Sequence, residues 1–332
     1  MSRSEKYLVL GSNSFSGASF VDYLLERGAS VVGVSRSREP HPAFLPYRWH
    51  DRDNSFCFYQ LDLNSDLLRI MDVVHAERPD YVINFASQSM VAESWKNPDH
   101  WFMTNVVSTV CLHEQLRHCG FLRKYVHVST PEVYGSTDGL VKEDAAFNPS
   151  TPYAVSRAAA DMSLRTFFQA YKFPVVFTRA ANVYGPGQQP YRIIPRTILF
   201  VRLGKRLQLH GGGLSERSFI HIRDVSDATF RVTRDGHPGE TYHISTDRIT
   251  SVRAVVELIC ARMGVAFDSC VDVVGERLGK DAAYRLDSRK IRQELGWSDT
   301  LSLEQGLDET IAWVDRFLGD LRDQELNYVH KP

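Results

Sequence analysis

No charge of one sign dominates this chain: 39 Lys and Arg stand against 40 Asp and Glu over 332 residues, a formal net charge of −1. Without a basic excess there is little to displace counterions from a phosphodiester backbone, so nucleic acid is not expected as a partner. Long apolar runs are missing as well. None reaches the roughly 18 residues that a bilayer-spanning helix needs, and Met1-Ser2-Arg3-Ser4-Glu5-Lys6 leads straight into a strand-like segment. Neither a signal peptide nor a membrane anchor is expected, and the expected location is cytoplasmic. Cysteine is sparse. Cys57, Cys111, Cys119, Cys260 and Cys270 are scattered and never take the two-residue spacing of a zinc or redox pair, which reads as reduced thiols. The 12 histidines show no pair at metal-ligand spacing, so no catalytic metal is expected. What is present is an ordinary globular inventory, 43% hydrophobic and 24% charged, in a chain long enough for two domains or one large one.

Tyr7-Leu8-Val9-Leu10 is a short apolar run closed by Gly11, and Ser30-Val31-Val32-Gly33-Val34 is a second, with Phe20, Leu24 and Leu25 at helical spacing between them. The alternation continues through residues 56–60, 81–85, 125–129 and 175–178, which predicts a Rossmann-type, doubly wound parallel α/β sheet. Beyond about Arg179 the regularity breaks at Tyr184-Gly185-Pro186-Gly187 and Gly211-Gly212-Gly213. The expected division is a dinucleotide-binding domain over 1–180 and a smaller α/β substrate lobe over 181–332, with some chain exchange between them. Helices are predicted over 101–117, 153–170, 252–263, 288–295 with Gly296 as the stop, and 303–317; the charged tail after Leu318 is expected to fray.

Gly11-Ser12-Asn13-Ser14-Phe15-Ser16-Gly17 joins the first strand to the first helix, where backbone N–H groups approach a pyrophosphate at a helix N-terminus. The middle glycine of a Gly-x-x-Gly-x-x-Gly spacing is Ser14 here, so the turn must accommodate a side chain. At the end of the second strand, Ser35-Arg36-Ser37-Arg38 has no acid to hold a ribose 2′-hydroxyl. A guanidinium at Arg36 favours a 2′-phosphate, and the expectation leans to NADP over NAD; solvated surface charge is the competing reading. Asp62, after the third strand, suits either an adenine amino group or a turn.

Tyr153 and Arg157 lie four residues apart at the start of a helix opening near Pro152, hence on one face. A phenol with an ordinary pKa near 10 is a poor base at neutral pH, but a fixed cation and an oxidised nicotinamide beside it favour the phenolate. Upstream, Tyr125-Val126-His127-Val128-Ser129-Thr130-Pro131-Glu132-Val133-Tyr134-Gly135 brings a hydroxyl and a carboxylate to a strand's C-terminal end, where open α/β sheets place their ligands.

Together with Asn84-Phe85-Ala86-Ser87-Gln88-Ser89, Asn105, Arg179-Ala180-Ala181-Asn182-Val183-Tyr184-Gly185-Pro186-Gly187, Arg217-Ser218-Phe219-Ile220-His221 and Glu294-Leu295-Gly296-Trp297, these segments resemble the extended short-chain dehydrogenase/reductase family, in its nucleotide-sugar 4,6-dehydratase branch. The resemblance implies that Tyr153 takes the proton of a sugar C4 hydroxyl while hydride passes to the nicotinamide. Thr130 orients that hydroxyl, Glu132 removes the C5 proton, water leaves C6 and the hydride returns there. It also implies Leu63, Phe85, Ala86, Ser87, Asn105, Tyr153 and Arg157 as cofactor contacts, Arg157 at the nicotinamide ribose, and Ser89 and Asn182 as substrate contacts. Two departures stand out: Pro131 where the family has an aspartic acid, and Arg157 where it has lysine. A 4-epimerase, a uronate decarboxylase and a catalytically impaired homologue are the competing readings.

Arg217 and Arg277 are candidates for the substrate diphosphate, with salt bridges to Glu216 or Glu276 as the alternative. Trp95, Trp101 and Trp297 read as packing residues. Val106, Val110, Leu164 and Phe168 are expected to form a four-helix contact in a homodimer, as is common in the family.

Overall fold

The computed structural model describes residues 4–50, 55–137, 139–275 and 285–331. Seven strands form one parallel sheet: β1 (Lys6–Leu10), β2 (Ser30–Ser35), β3 (Phe56–Gln60), β4 (Tyr81–Asn84), β5 (Lys124–Val128), β6 (Val175–Ala180) and β7 (Thr241–Ile244). Their order across the sheet is β7-β6-β5-β4-β1-β2-β3, so the winding direction reverses between β1 and β4. Crevices for ligands open at such a reversal, outside the carboxyl ends of the strands.

Side chains alternate across the pleat and feed two cores. Tyr7, Val9, Val31, Ile83 and Val126 pack against α1 (Phe15–Leu25) through Ala18, Val21 and Leu24, and against the helix Ile222–Asp235 through Val225 and Val232. Leu8, Leu10, Val32, Val82 and Tyr125 face the other way, onto Ile70 and Val74, Leu112 and Leu116, and Leu164 of α2 (Pro152–Tyr171). Burial on both faces explains why these strands read as near-continuous apolar runs.

The predicted strands are present with ends shifted by a residue or two. The seventh, β7, is an addition: it lies well beyond residue 180 yet pairs in parallel with β6, Thr241 opposite Phe177. The helices Ile222–Asp235 and Arg289–Leu295 also return to the large domain, so the chain crosses between lobes more than once. The smaller lobe is built on short pairs: Asn182–Tyr184 with Phe219–His221, and Leu207–His210 with Val271–Val274, packed on α3 (Ile193–Arg202) and the helices Val252–Arg262 and Leu303–Arg316.

The helix expected over 101–117 is interrupted. Pro98–Phe102 is α-helical, Met103–Ser108 is a π-helical turn and Thr109–Leu116 is α-helical again. Such wide turns insert one residue into a helix and concentrate at functional sites. The C-terminal tail is not frayed either: residues 326–331 pack on both lobes. Trp101 and Trp297 are fully buried, whereas Trp95 is 61% exposed.

Candidate active site

A cleft of about 360 Å³ opens over the carboxyl ends of β1, β2 and β4. Its floor is the turn after β1, where Gly11 takes φ +78° and a Cβ there would lie 2.7 Å from the Ala86 nitrogen. At Gly17 a Cβ would come within 2.1 Å of the Gly11 carbonyl oxygen, so neither position admits a side chain. Ser14 solves the problem of the missing middle glycine by folding inward: its hydroxyl donates to the Gly11 carbonyl at 2.7 Å and caps α1 by accepting from the Gly17 N–H at 3.1 Å. Asn13 is tethered by its own N–H to Ser35 Oγ at 3.0 Å and by Nδ2 to the Ser37 carbonyl at 2.9 Å. Its Oδ1 is buried with no hydrogen-bond partner among the described residues, an acceptor suited to ribose hydroxyls. A tight glycine turn, a helix N-terminus and this orphaned acceptor fit a dinucleotide.

Gly11, Asn13, Ser14, Ser35, Arg36, Asp62, Leu63, Phe85, Ala86 and Ser87 all line the cleft. Phe15, Ser16 and Gly17 stand behind it; Phe15 packs into the core. The Ser35 hydroxyl serves the Asn13 turn, and Asp62 accepts from the Asn64 N–H at 2.9 Å, a turn role that coexists with its place on the wall. Asn105 departs from its assignment. Fully buried in the π-helical turn, it accepts from the Gln88 N–H at 2.9 Å and donates to the Gln88 carbonyl at 3.0 Å and to Ser156 Oγ at 2.9 Å. Its amide fastens the wall to α2 instead of facing the cleft. Gln88, Thr104 and Lys331, none of them assigned from sequence, also line it.

The proposed reacting groups converge beside this cleft. Thr151 caps α2 and places Tyr153 in its first turn, while Thr130 caps the short turn Pro131–Tyr134 and accepts from the Glu132 N–H at 3.4 Å. Thr130 and the Glu132 carboxylate both lie near enough to the Tyr153 phenol to act on its ionisation. The phenol is pushed up to about 12: burial contributes most, Glu132 next, and Arg157, Thr130 and Arg192 pull the other way. Arg157 alone therefore does not produce a phenolate. Its Nη2 donates to the Val128 carbonyl and lies 3.3 Å from His127 Nε2, so the guanidinium is turned under the sheet and its offering to the site is charge. In place of the expected reach to a ribose, this arginine braces the end of β5.

Beneath it is a fully buried polar cluster. Asp161, one turn after Arg157 on α2, accepts from Ser129 Oγ and from Arg179 Nη2, each at 2.7 Å, and lies 3.4 Å from His127 Nε2. Burial, then Arg157 and Arg179, hold His127 well below its ordinary pKa, hence neutral.

In the smaller lobe, Arg217 is buried and donates to the Glu216 carbonyl at 2.8 Å, while the Glu216 carboxylate pairs with Arg285 instead. Arg277 lies outside the described residues. Asn182 starts a short strand, its N–H donating to the Ser218 carbonyl at 3.0 Å, and Ser89 is exposed. Arg192, just before α3, was missed; its charge reaches Tyr153, and only its position after the Gly185-Pro186-Gly187 turn hinted at this.

A family model described as GDP-mannose 4,6 dehydratase matches residues 8–310. A dTDP-D-glucose 4,6-dehydratase of Mus musculus is 36% identical, over 97% of this chain and 92% of its own. A solved dTDP-glucose 4,6-dehydratase from Streptomyces venezuelae, with NAD bound, superposes with a TM-score of 0.86 at 31% identity, covering 95% of this chain and 98% of that one. A trifunctional UDP-glucose 4,6-dehydratase/3,5-epimerase/reductase of Arabidopsis thaliana is 35% identical over 78% of this chain, which spans only 39% of that relative's length.

Proposed function

The chain belongs to the GDP-mannose 4,6-dehydratase family, and we propose that it is itself an NAD(P)-dependent nucleotide-sugar 4,6-dehydratase. The observation that carries this reading is the convergence of Thr130 and Glu132, just past the carboxyl end of β5 beside β4, with Tyr153 in the first turn of α2. A 4-epimerase needs the hydroxyl and the phenol but has no C5 proton to remove; the carboxylate is the surplus that dehydration requires.

When bound, the oxidised nicotinamide supplies hydride acceptance from C4, hydride return to C6 and a positive charge that favours the phenolate. Tyr153 takes the proton of the C4 hydroxyl, which Thr130 holds in line. The resulting ketone acidifies C5, and Glu132 removes that proton. Pro131 has no proton to give, so Glu132 passes the proton it gained to the departing C6 hydroxyl, which leaves as water. Base and acid are then one carboxyl group acting in turn; as hydride returns to C6, Glu132 relays a solvent proton to C5 and Tyr153 gives up the proton it gained to solvent, so the product is a 4-keto-6-deoxy sugar nucleotide. Arg217, Asn182 and Ser89 remain candidates for holding the nucleotide sugar.

Incubation with a panel of nucleotide hexoses in heavy water tests the reading. The expected product is lighter by one water and carries deuterium at C5. Unchanged mass with inverted C4 identifies an epimerase, carbon dioxide release from a nucleotide-linked uronic acid a decarboxylase, and retained cofactor without hydride exchange an impaired homologue. The dinucleotide extracted from the purified protein decides between NADP, which Arg36 favours, and NAD. A homodimer through α2 and the helix before it completes the proposal.

A further inference from the structure

The last described residues cross from one lobe to the other at the dinucleotide cleft. Arg196, in α3, donates to the Leu326 carbonyl at 2.8 Å and to Asn327 Oδ1 at 3.4 Å. Tyr328 sets its ring edge-on against Tyr191, centroids 5.5 Å apart. His330 then reaches the larger domain: its ring lies 5.0 Å from that of Trp101 and 5.1 Å from that of His100, within 16° of parallel to each. Its Nε2 is 2.8 Å from His100 Nδ1. Finally the Lys331 carbonyl accepts from Gln88 Nε2 at 2.7 Å and from Arg36 Nη2 at 3.1 Å.

Gln88 follows β4 and Arg36 follows β2, and β1 lies between those strands in the sheet. One backbone carbonyl thus bridges the crevice across the end of β1, above the pyrophosphate turn. The cleft persists with Lys331 as one of its walls, so the segment bounds the space without filling it. A segment with no helix or strand of its own, yet anchored at several points on two lobes, is not what a loose terminus shows.

We propose that residues 326–331 are a strap that closes the dinucleotide site from outside and governs cofactor exchange. This rests on reading the cleft as a nicotinamide dinucleotide site. The proposed reaction gives the strap a purpose: the hydride taken from C4 must return to C6 of the same sugar, so the cofactor has to stay in place through the cycle. Anchoring the strap on α3 ties that retention to the lobe that carries the substrate.

The test uses the intact chain, a chain ended after Glu325 and the full-length variant His330→Ala. Each is saturated with reduced NAD or NADP, and release is followed by nucleotide fluorescence after mixing with excess ADP. Loss of the strap's hydrogen bonds should speed release about tenfold in the shortened chain, with a smaller increase in His330→Ala. Equal release rates in all three overturn the strap while leaving the dinucleotide site intact. Slower release or tighter binding in the shortened chain also overturns it, since the segment is then a plug that competes with the cofactor. If the intact chain binds neither dinucleotide, the reading of the cleft itself fails. Circular dichroism checks the fold of the shortened chain, and His330→Ala carries the decision should that chain not fold.

Discussion

At the scale of single residues, the site turns on the mutual electrostatics of Tyr153 and Glu132. The carboxylate raises the phenol's pKa, second only to burial, so a neutral residue at position 132 should make the phenol easier to ionise. Glu132→Gln therefore separates the two half-reactions. C5 exchange with heavy water should disappear, while C4 oxidation, read as reduced-nicotinamide absorbance, persists with its acid limb displaced to lower pH. The sign is fixed: activity needs the deprotonated phenol, it rises with pH up to the phenol's pKa, and removing a neighbouring negative charge lowers that pKa. An acid limb that stays put or moves up would separate Tyr153 from the base role. Tyr153→Phe should cost roughly 10²–10⁴ in kcat for both half-reactions, as removal of a general base does. Pro131→Asp asks the converse question: an added carboxylic acid next to Glu132 should accelerate loss of water if a single carboxyl group now does both tasks.

At the scale of elements, the π-helical turn Met103–Ser108 matters because it aims Asn105 at Gln88 and Ser156. Asn105→Ala leaves a buried backbone N–H and a carbonyl unpaired, which costs about 1–3 kcal/mol and should appear as a lowered Tm. Because Gln88 holds the strap, the same variant should also release cofactor faster. The strap has its own pH dependence. His330 is held below its ordinary pKa by burial first, then by His100 and Arg36, with Glu93 opposing; Asp99 lies 3.8 Å from His100 Nε2, and Tyr328 Oη 3.3 Å from His330 Nδ1. The neutral ring is thus the docked form. Docking is full above the ordinary histidine value of about 6.5 and weakens as pH falls below it, so release should quicken in mild acid in the intact chain and not in His330→Ala. These elements also mark where sequence stops being legible. Six strands and the glycine turn could be read because buried parallel strands are apolar runs and Gly11 and Gly17 leave room for nothing larger. Thr241–Ile244 was missed since its pairing with β6 spans some sixty residues of intervening chain. The strap was missed because a backbone carbonyl, its last anchor, has no residue signature, and Asn105 was misassigned because a buried asparagine looks the same whether it holds a ligand or a loop.

At the scale of the whole molecule, the sheet and its two cores leave an apolar surface uncovered among the described residues. The sequence pointed to Val106, Val110, Leu164 and Phe168, but Leu164 is fully buried in the core and the other three are partly covered. The exposed residues on these helices are their neighbours: Phe102 at 37%, Met103 at 48% and Val107 at 50% on one, Val155 at 39% and Met162 at 59% on α2. Val155 and Met162 are seven residues apart, two helical turns along one face, so the two helices present a joint apolar surface rather than scattered side chains. In the proposed homodimer, a two-fold axis through such a surface pairs each helix with the partner's copy and closes the assembly at two subunits. That arrangement also puts the interface on the outer face of α2, whose inner face carries Tyr153, Arg157 and Asp161. Dimerisation should then steady the catalytic helix as well as cover its apolar side. Val107→Asp places a charge in the middle of the contact and should give a monomer by sedimentation, with kcat reduced and the cofactor still bound, because the cleft lies on the other side of the π-helical turn. An intact chain that sediments as a monomer at micromolar concentration, or a Val107→Asp variant that remains dimeric, would move the interface elsewhere and leave α2 to be held by the buried Asp161 and Arg179 alone.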